Sequence, residues 1–274
     1  MSVPGKMHCF LAWAVLLLQG NGVVSAQSDG HTELTVFAAA SLTEAFQTLG
    51  KTFEATHPPV KILFNFSGSQ QLVQQIVQGA RADILASANM KQMTLAVRSG
   101  VIDTALIRIF ARNKLVVIIP KNNAAHLGGL KDLARPNIKI VLADSSVPVG
   151  LYALQFLSRC SKSTEFGASF ERDVLRNVVS YEENVRAVLS KVRLDECDAG
   201  IVYSSDITPD SQREVSRIDI PAHLNSIAEY PIAIVRESGS RQLAREFLDF
   251  VLSEEGESVL SKFGFMPASR PGNR

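Results

Sequence analysis

Residues suited to covalent or metal chemistry are scarce here. The 274-residue chain has three cysteines, five histidines and one tryptophan. No C-x-x-C pair occurs and no cysteine has a His pair beside it, so the spacings of a structural zinc site are missing. The G-x-S-x-G elbow of serine hydrolases is absent; the nearest approach, Ser67-Gly68-Ser69, lacks the second glycine. There is no P-loop, and no G-x-G-x-x-G follows a strand-like run. His57, His126 and His223 stand in loop-like stretches, and His8 and His31 lie near the N-terminus. No serine therefore has a credible basic partner. Glu182-Glu183 and Asp195-Glu196 are sequence neighbours, the pattern of solvated charge rather than of an acid/base pair. No catalytic residue is assigned, and the chain is not expected to be an enzyme.

An excess of either charge is missing as well. Lys and Arg number 28 against 27 Asp and Glu, a formal net charge of +1. Nothing in that balance draws nucleic acid or an acidic membrane surface. No apolar run approaches the roughly 20 residues of a spanning helix. The longest, CFLAWAVLLL at 9–18, follows Lys6 and precedes Val24-Ser25-Ala26. That is the pattern of a secretory signal cut after Ala26, so residues 1–26 are expected to leave. They carry one lysine and no acid, which makes the exported chain formally neutral, +1 − 1 = 0. No cysteine immediately follows the cut, so no lipid anchor is expected, and the expected compartment is the periplasm. Cys160 and Cys197 remain. An oxidising compartment permits a disulfide between them; two buried thiols are the alternative.

What is present is an alternation of strand-like and helical patterns. Strand-like runs occupy 34–38, 60–66, 84–86, 115–120, 138–142, 200–203 and 231–235. Leu72 and Ile76, Val73 and Val77, and Leu243, Phe247 and Val251 recur at helical spacing. Alternating βα units imply an α/β fold with largely parallel sheets. Pattern alone admits one large sheet, or two sheets joined by extended crossings at 107–113 and 225–230. The segment after Phe265 is polar and is expected to fray.

Five stations share one feature, a strand or turn running into a helix start with small neutral residues. They are Ala40-Ser41-Leu42, Ser67-Gly68-Ser69, Pro148-Val149, the segment before Val185, and the strand ending at Tyr203. Helix N-termini carry unpaired N–H groups and attract anions. In parallel α/β sheets such ends gather at the C-terminal edge of the strands. For any single serine, plain capping is the competing explanation. Ser41 with Glu44 fits an S-x-x-E capping box, and a buried Tyr203 could simply bond to backbone.

The segments TVFAAASLTEAF, FSGSQQLVQQI, VPVGLYAL, YEENVRAVL, GIVYSSD and EYPIAIV resemble, in order and spacing, those of the periplasmic molybdate-binding proteins of ABC importers. The resemblance runs from about Leu34 to Phe265. It implies a two-lobed type II periplasmic binding fold, each lobe a mostly parallel sheet flanked by helices, with the ligand in the cleft. By analogy lobe 1 is 30–110 plus 228–274 and lobe 2 is 111–227. It implies that molybdate or tungstate is held by the hydroxyls of Ser41, Ser69 and Tyr203 and by backbone amides at Val149 and Val185. Ser69 is chosen over Ser67 because it directly precedes the helical pattern. Molybdenum would enter only as molybdate, with no cofactor. The implied partner is an inner-membrane permease, and the implied state a monomer. Competing expectations are a same-fold protein for sulfate, thiosulfate or ferric iron, an exported serine hydrolase, and a regulator's effector domain. Ferric iron would want clustered tyrosines and carboxylates, which Tyr152, Tyr181 and Tyr203 do not evidently supply.

Overall fold

The computed structural model describes residues 1–2 and 32–268. Lys6, the apolar run 9–18 and Ala26, the marks of an export signal, lie outside the described residues. Strand β1 (Thr32–Ala39) passes through a 3-10 turn, Ala40–Leu42, into α1 (Thr43–Thr56). Next come β2 (Val60–Ser67), α2 (Ser69–Val77), β3 (Ile84–Ala86) and α3 (Met90–Arg98). Strand β4 (Arg108–Pro120) is followed by β5 (Ile140–Ala143), α4 (Pro148–Lys162), α5 (Phe170–Arg176), β6 (Val178–Glu182), α6 (Val185–Arg193) and β7 (Ala199–Tyr203). The chain closes with β8 (Val215–Asp219), β9 (Ile227–Ile234), α7 (Arg241–Val251), α8 (Glu254–Lys262) and β10 (Met266–Pro267).

The strands form two sheet regions that share β4, in the order β2-β1-β3-β9-β4-β7-β5-β6. Within each region three strands are parallel: β2, β1 and β3 in one, β6, β5 and β7 in the other. The expected parallel character therefore holds for each core. Strands β4 and β9 depart from it, because they carry the chain between regions and run antiparallel to each other from Arg108↔Ile232 to Lys114↔Ile227. The segments read as crossings fall on this ribbon. They are hydrogen-bonded strands, not loose connectors.

Burial explains which runs were legible. Leu115 to Ile119 in β4 is buried at every position, as a strand covered on both faces must be. Helix α7 buries Ala244, Phe247, Leu248 and Val251, one face at helical period. Phe46, Phe53 and Phe247 meet edge-to-face and pin α1 against α7. In α2, Leu72, Val73 and Ile76 are buried, whereas Val77, at the helix end, is exposed.

Two expectations need correction. Strands β6 and β8 are absent from the expected runs; Val179 and Tyr181 of β6 are exposed, and in β8 only Val215 is buried while Arg217 and Asp219 are exposed, so neither has an apolar run. The segment after Phe265 does not fray at once, since Met266 and Pro267 pair with Arg112 and Ala111. Phe265 is buried against Tyr230, ring centroids 5.3 Å apart, and holds the start of the tail. Of the two alternatives for Cys160 and Cys197, the structure has separate buried thiols, and burial pushes both up to about 12. Each serves as a small apolar core residue. No helix among the described residues is long and apolar enough to cross a membrane.

Helix α4 starts unusually close to its sheet. A Cβ on Gly150 would lie 2.1 Å from the carbonyl oxygen of Asp144 and 2.4 Å from that of Ala143. Both are backbone atoms at the end of β5 and cannot swing aside. Gly150→Ala is expected to destabilise the fold by about 1–3 kcal/mol, the usual cost of overpacking, measured by urea unfolding.

Candidate functional site

The C-terminal ends of the parallel strands meet at one cavity. Ala39 to Ser41, Ser67 to Ser69 and Ala88 line it from the first sheet region. Val147 to Val149, Asn184, Val185 and Tyr203 line it from the second. All five residues singled out from the sequence are therefore brought together. The cavity volume is about 20 Å³, where one water needs roughly 10–15 Å³. It has room for a compact group of a few atoms and none for a sugar or a peptide.

Ser41 sits in the 3-10 turn, 3% exposed, with its Oγ 2.9 Å from Tyr230 Oη. The expected capping box is not formed. The 3-10 turn displaces the start of α1, whose cap position is Leu42, and Glu44 turns away to Arg186. Ser69 is the first residue of α2 and its Oγ accepts the Ala88 N–H at 3.0 Å. That bond fills an acceptor site and leaves the Ser69 proton uncommitted. Ser67 differs, because its hydroxyl donates to Gln71 Oε1.

Backbone donors come from two long helices. Pro148 is the first residue of α4 and has no N–H, so the amides of Val149 and Gly150 are its free ones. In α6, Asn184 Oδ1 caps the Ala187 N–H at 3.0 Å, which leaves those of Val185 and Arg186 without helical partners. Tyr203 ends β7, is 1% exposed, and its Oη has no hydrogen-bond partner. Burial raises its hydroxyl well above its ordinary value, so it stays protonated and has a proton to donate. An unmet buried hydroxyl costs about 1–3 kcal/mol, and a ligand in the cavity would meet it.

No residue lining the cavity is charged. Charge begins just behind it. Asp206 is fully buried; its Oδ2 accepts the Tyr203 N–H at 2.9 Å and its Oδ1 lies 3.8 Å from Arg186 Nε. Arg186, on α6, also donates to the Ala40 carbonyl at 3.2 Å and to the Glu44 carboxylate. It thus ties the second sheet region to the turn bearing Ser41. Gln70 reaches the Glu183 carbonyl at 2.8 Å, Gln71 its carboxylate at 2.9 Å, and Gln92 the Ser146 carbonyl at 2.9 Å. A Cβ on Gly68 would come 2.7 Å from the Glu183 carbonyl oxygen, so the close approach of the two backbones needs glycine there. Hydrogen bonds thus tie the two sides of the cavity together at several points.

Asn113, Asn184, Arg186, Asp206 and Tyr230 were not singled out from the sequence. Asn184 and Arg186 flank Val185, whereas Asn113 lies between Arg112 and Lys114 and carries no signal of its own. None of His57, His126 and His223 lines the cavity. Among the described residues no group of three or more His, Cys, Asp or Glu could hold a metal ion.

Asp206 makes stability depend on pH. Desolvation raises its carboxyl to about 6 from an ordinary 3.8, although Arg186 and the Tyr203 N–H pull it down. The folded state thus holds this proton more tightly than the unfolded chain. Its contribution is fully present below pH 3.8 and is lost as pH rises through about 6. That gap corresponds to about 3 kcal/mol. Asp206→Asn is expected to lose less stability than the wild type between acid and neutral pH, measured by denaturant unfolding at both.

The family model for bacterial extracellular solute-binding proteins matches residues 34–266. The molybdate-binding protein ModA of Mycobacterium tuberculosis is 33% identical over 87% of this chain and 86% of its own. Its Escherichia coli namesake is 31% identical over 85% and 88%. Among solved structures, the sulfate-binding protein SubI from M. tuberculosis matches with a TM-score of 0.78 at 18% identity, covering 88% of each chain; this likeness is one of fold. The resemblance to molybdate-binding proteins read from the sequence thus holds over most of the chain, which belongs to the bacterial extracellular solute-binding protein family.

Proposed function

We propose that this protein captures molybdate, and tungstate with it, in the periplasm and delivers it to an inner-membrane ABC permease. The observation that carries the proposal is the cavity's make-up: a small space lined by uncharged residues, with the hydroxyls of Ser41, Ser69 and Tyr203 among them. The hydroxyls of Ser41, Ser69 and Tyr203 and the amides near Val149 and Val185 are the proposed ligands. Relatives about 30% identical carry the molybdate-binding name. The lobes are taken as 30–110 with 228–274, and 111–227. Each supplies ligands, so binding favours closure through contacts that exist only when the lobes meet. Both halves of the site come from one chain, in keeping with a monomer. Lys6, the apolar run and Ala26 support export.

Energetics and charge agree with this reading. A hydrogen bond to a charged group contributes roughly 1.5–3 kcal/mol. Five such bonds on fixed elements support binding of roughly −8 to −12 kcal/mol, micromolar to nanomolar, after association costs. A wall of uncharged donors without a carboxylate suits a fully deprotonated tetrahedral dianion. Hydrogen phosphate would bring an O–H with no acceptor, at a cost of about 1–3 kcal/mol. Sulfate is the rival, because it shares the charge and a sulfate-binding protein shares the fold. It is smaller, and donors spaced for molybdate would stand too far from its oxygens.

Calorimetry on ligand-stripped protein tests the proposal. Molybdate and tungstate are expected to bind in the micromolar to nanomolar range, sulfate at least about tenfold more weakly, and phosphate weakest. Sulfate binding equal to molybdate would overturn the assignment. Ser41→Ala combined with Ser69→Ala is expected to weaken molybdate binding by about a hundredfold or more, two charge-assisted bonds being lost. Unchanged affinity would make both serines structural only.

A further inference from the structure

Ser41 differs from the other hydroxyls of the cavity in what stands behind it. Its Oγ is 2.9 Å from Tyr230 Oη, and either oxygen could be the donor on distance alone. The neighbours of Tyr230 decide the direction. Asn113 Oδ1 accepts the Lys114 N–H at 2.9 Å, and a backbone N–H can only donate. The amide of Asn113 is therefore oriented with Nδ2 toward Ser205 Oγ at 2.7 Å and Tyr230 Oη at 3.5 Å. Ser204 Oγ, 2.9 Å from Asn113 Oδ1, fits the same orientation.

Tyr230 Oη thus receives a proton from Asn113 and has one of its own to place. Tyr203 Oη, whose ring is its neighbour, makes no hydrogen bond of good geometry, whereas Ser41 Oγ stands at 2.9 Å. Ser41 Oγ is the acceptor that remains. Asn113 and Tyr230 are completely buried and Ser41 nearly so, which leaves no bulk water to reverse the chain. With one lone pair taken by Tyr230, the Ser41 proton is left uncommitted and available to the cavity.

We propose that Tyr230 is a positioning residue that orients Ser41 as a donor toward the cavity, and so tunes the cavity for fully deprotonated anions against protonated ones. The inference rests on the reading of the cavity as an oxyanion site with Ser41 as ligand. Tyr230 touches no ligand in this scheme and acts through Ser41 alone. Replacing it by phenylalanine frees the Ser41 lone pairs, so the hydroxyl can turn and accept an O–H from hydrogen phosphate.

The test is a double-mutant cycle by calorimetry on the exported chain, with wild type, Ser41→Ala, Tyr230→Phe and the double variant. Molybdate and hydrogen phosphate are the probes, in alkaline buffer. Tyr230→Phe is expected to weaken molybdate binding by about tenfold and to narrow the preference for molybdate over hydrogen phosphate. On the Ser41→Ala background the same change is expected to have no further effect on either anion. Thermal unfolding without ligand separates this from a general loss of fold, which would weaken binding in both backgrounds. Unchanged molybdate affinity in Tyr230→Phe, or a loss that persists in full without Ser41, would overturn the inference. Ser41→Ala weakening binding while Tyr230→Phe does not would overturn it and leave the oxyanion reading standing. A wild type that binds no molybdate would overturn both.

Discussion

A dianion taken out of water must have its charge met, and here no cation is placed to meet it. That constraint organises the rest of the molecule. Transfer of an isolated charge into a low-dielectric interior is prohibitive unless hydrogen bonds replace its hydration. Neutral donors can do so only if several converge and none needs to reorganise. A parallel α/β sheet supplies that convergence, because its helices begin where its strands end. Residues from both sheet regions line the space. Local details serve the same end: Pro148 starts α4 without an N–H of its own, and Gly150 lets that helix sit hard against β5.

Charge is not absent from the neighbourhood; it is placed one layer back. Arg186 spans from α6 to Glu44 and to the Ala40 carbonyl, and faces the buried carboxylate of Asp206. It is well placed to stabilise the closed arrangement rather than to touch a ligand. Asp206 holds the backbone of Tyr203, whose hydroxyl is left free. The β4–β9 ribbon joins the two halves and also carries Asn113 and Tyr230, the pair behind Ser41. The element through which the sheets are joined thus also orients a donor in the site.

Much of this was legible from the sequence because its signals are local. A strand running into a helix start is a short-range pattern, and five such stations, far apart in the chain, do line one cavity. The identity of each station was less legible than its position. Ser41 with Glu44 reads as a capping box, yet a 3-10 turn shifts the helix start, and Arg186, distant in sequence, takes the glutamate. Tyr230, Asn113 and Asp206 were missed because their roles depend on which strands pair with β4, a long-range fact. Edge strands β6 and β8 were missed for the opposite reason, since half-exposed strands lack the apolar run that marks a core strand.

The central claim is positional: one tetrahedral dianion, held between the two sheet regions by neutral donors from both. Anomalous diffraction from a crystal grown with molybdate, recorded at the molybdenum edge, measures it directly. The account predicts a single strong peak inside the cavity, with oxygens within hydrogen-bond reach of the Ser41, Ser69 and Tyr203 hydroxyls and of the amides at Val149 and Val185. A peak elsewhere, or one in the cavity ligated by a charged side chain, would contradict it.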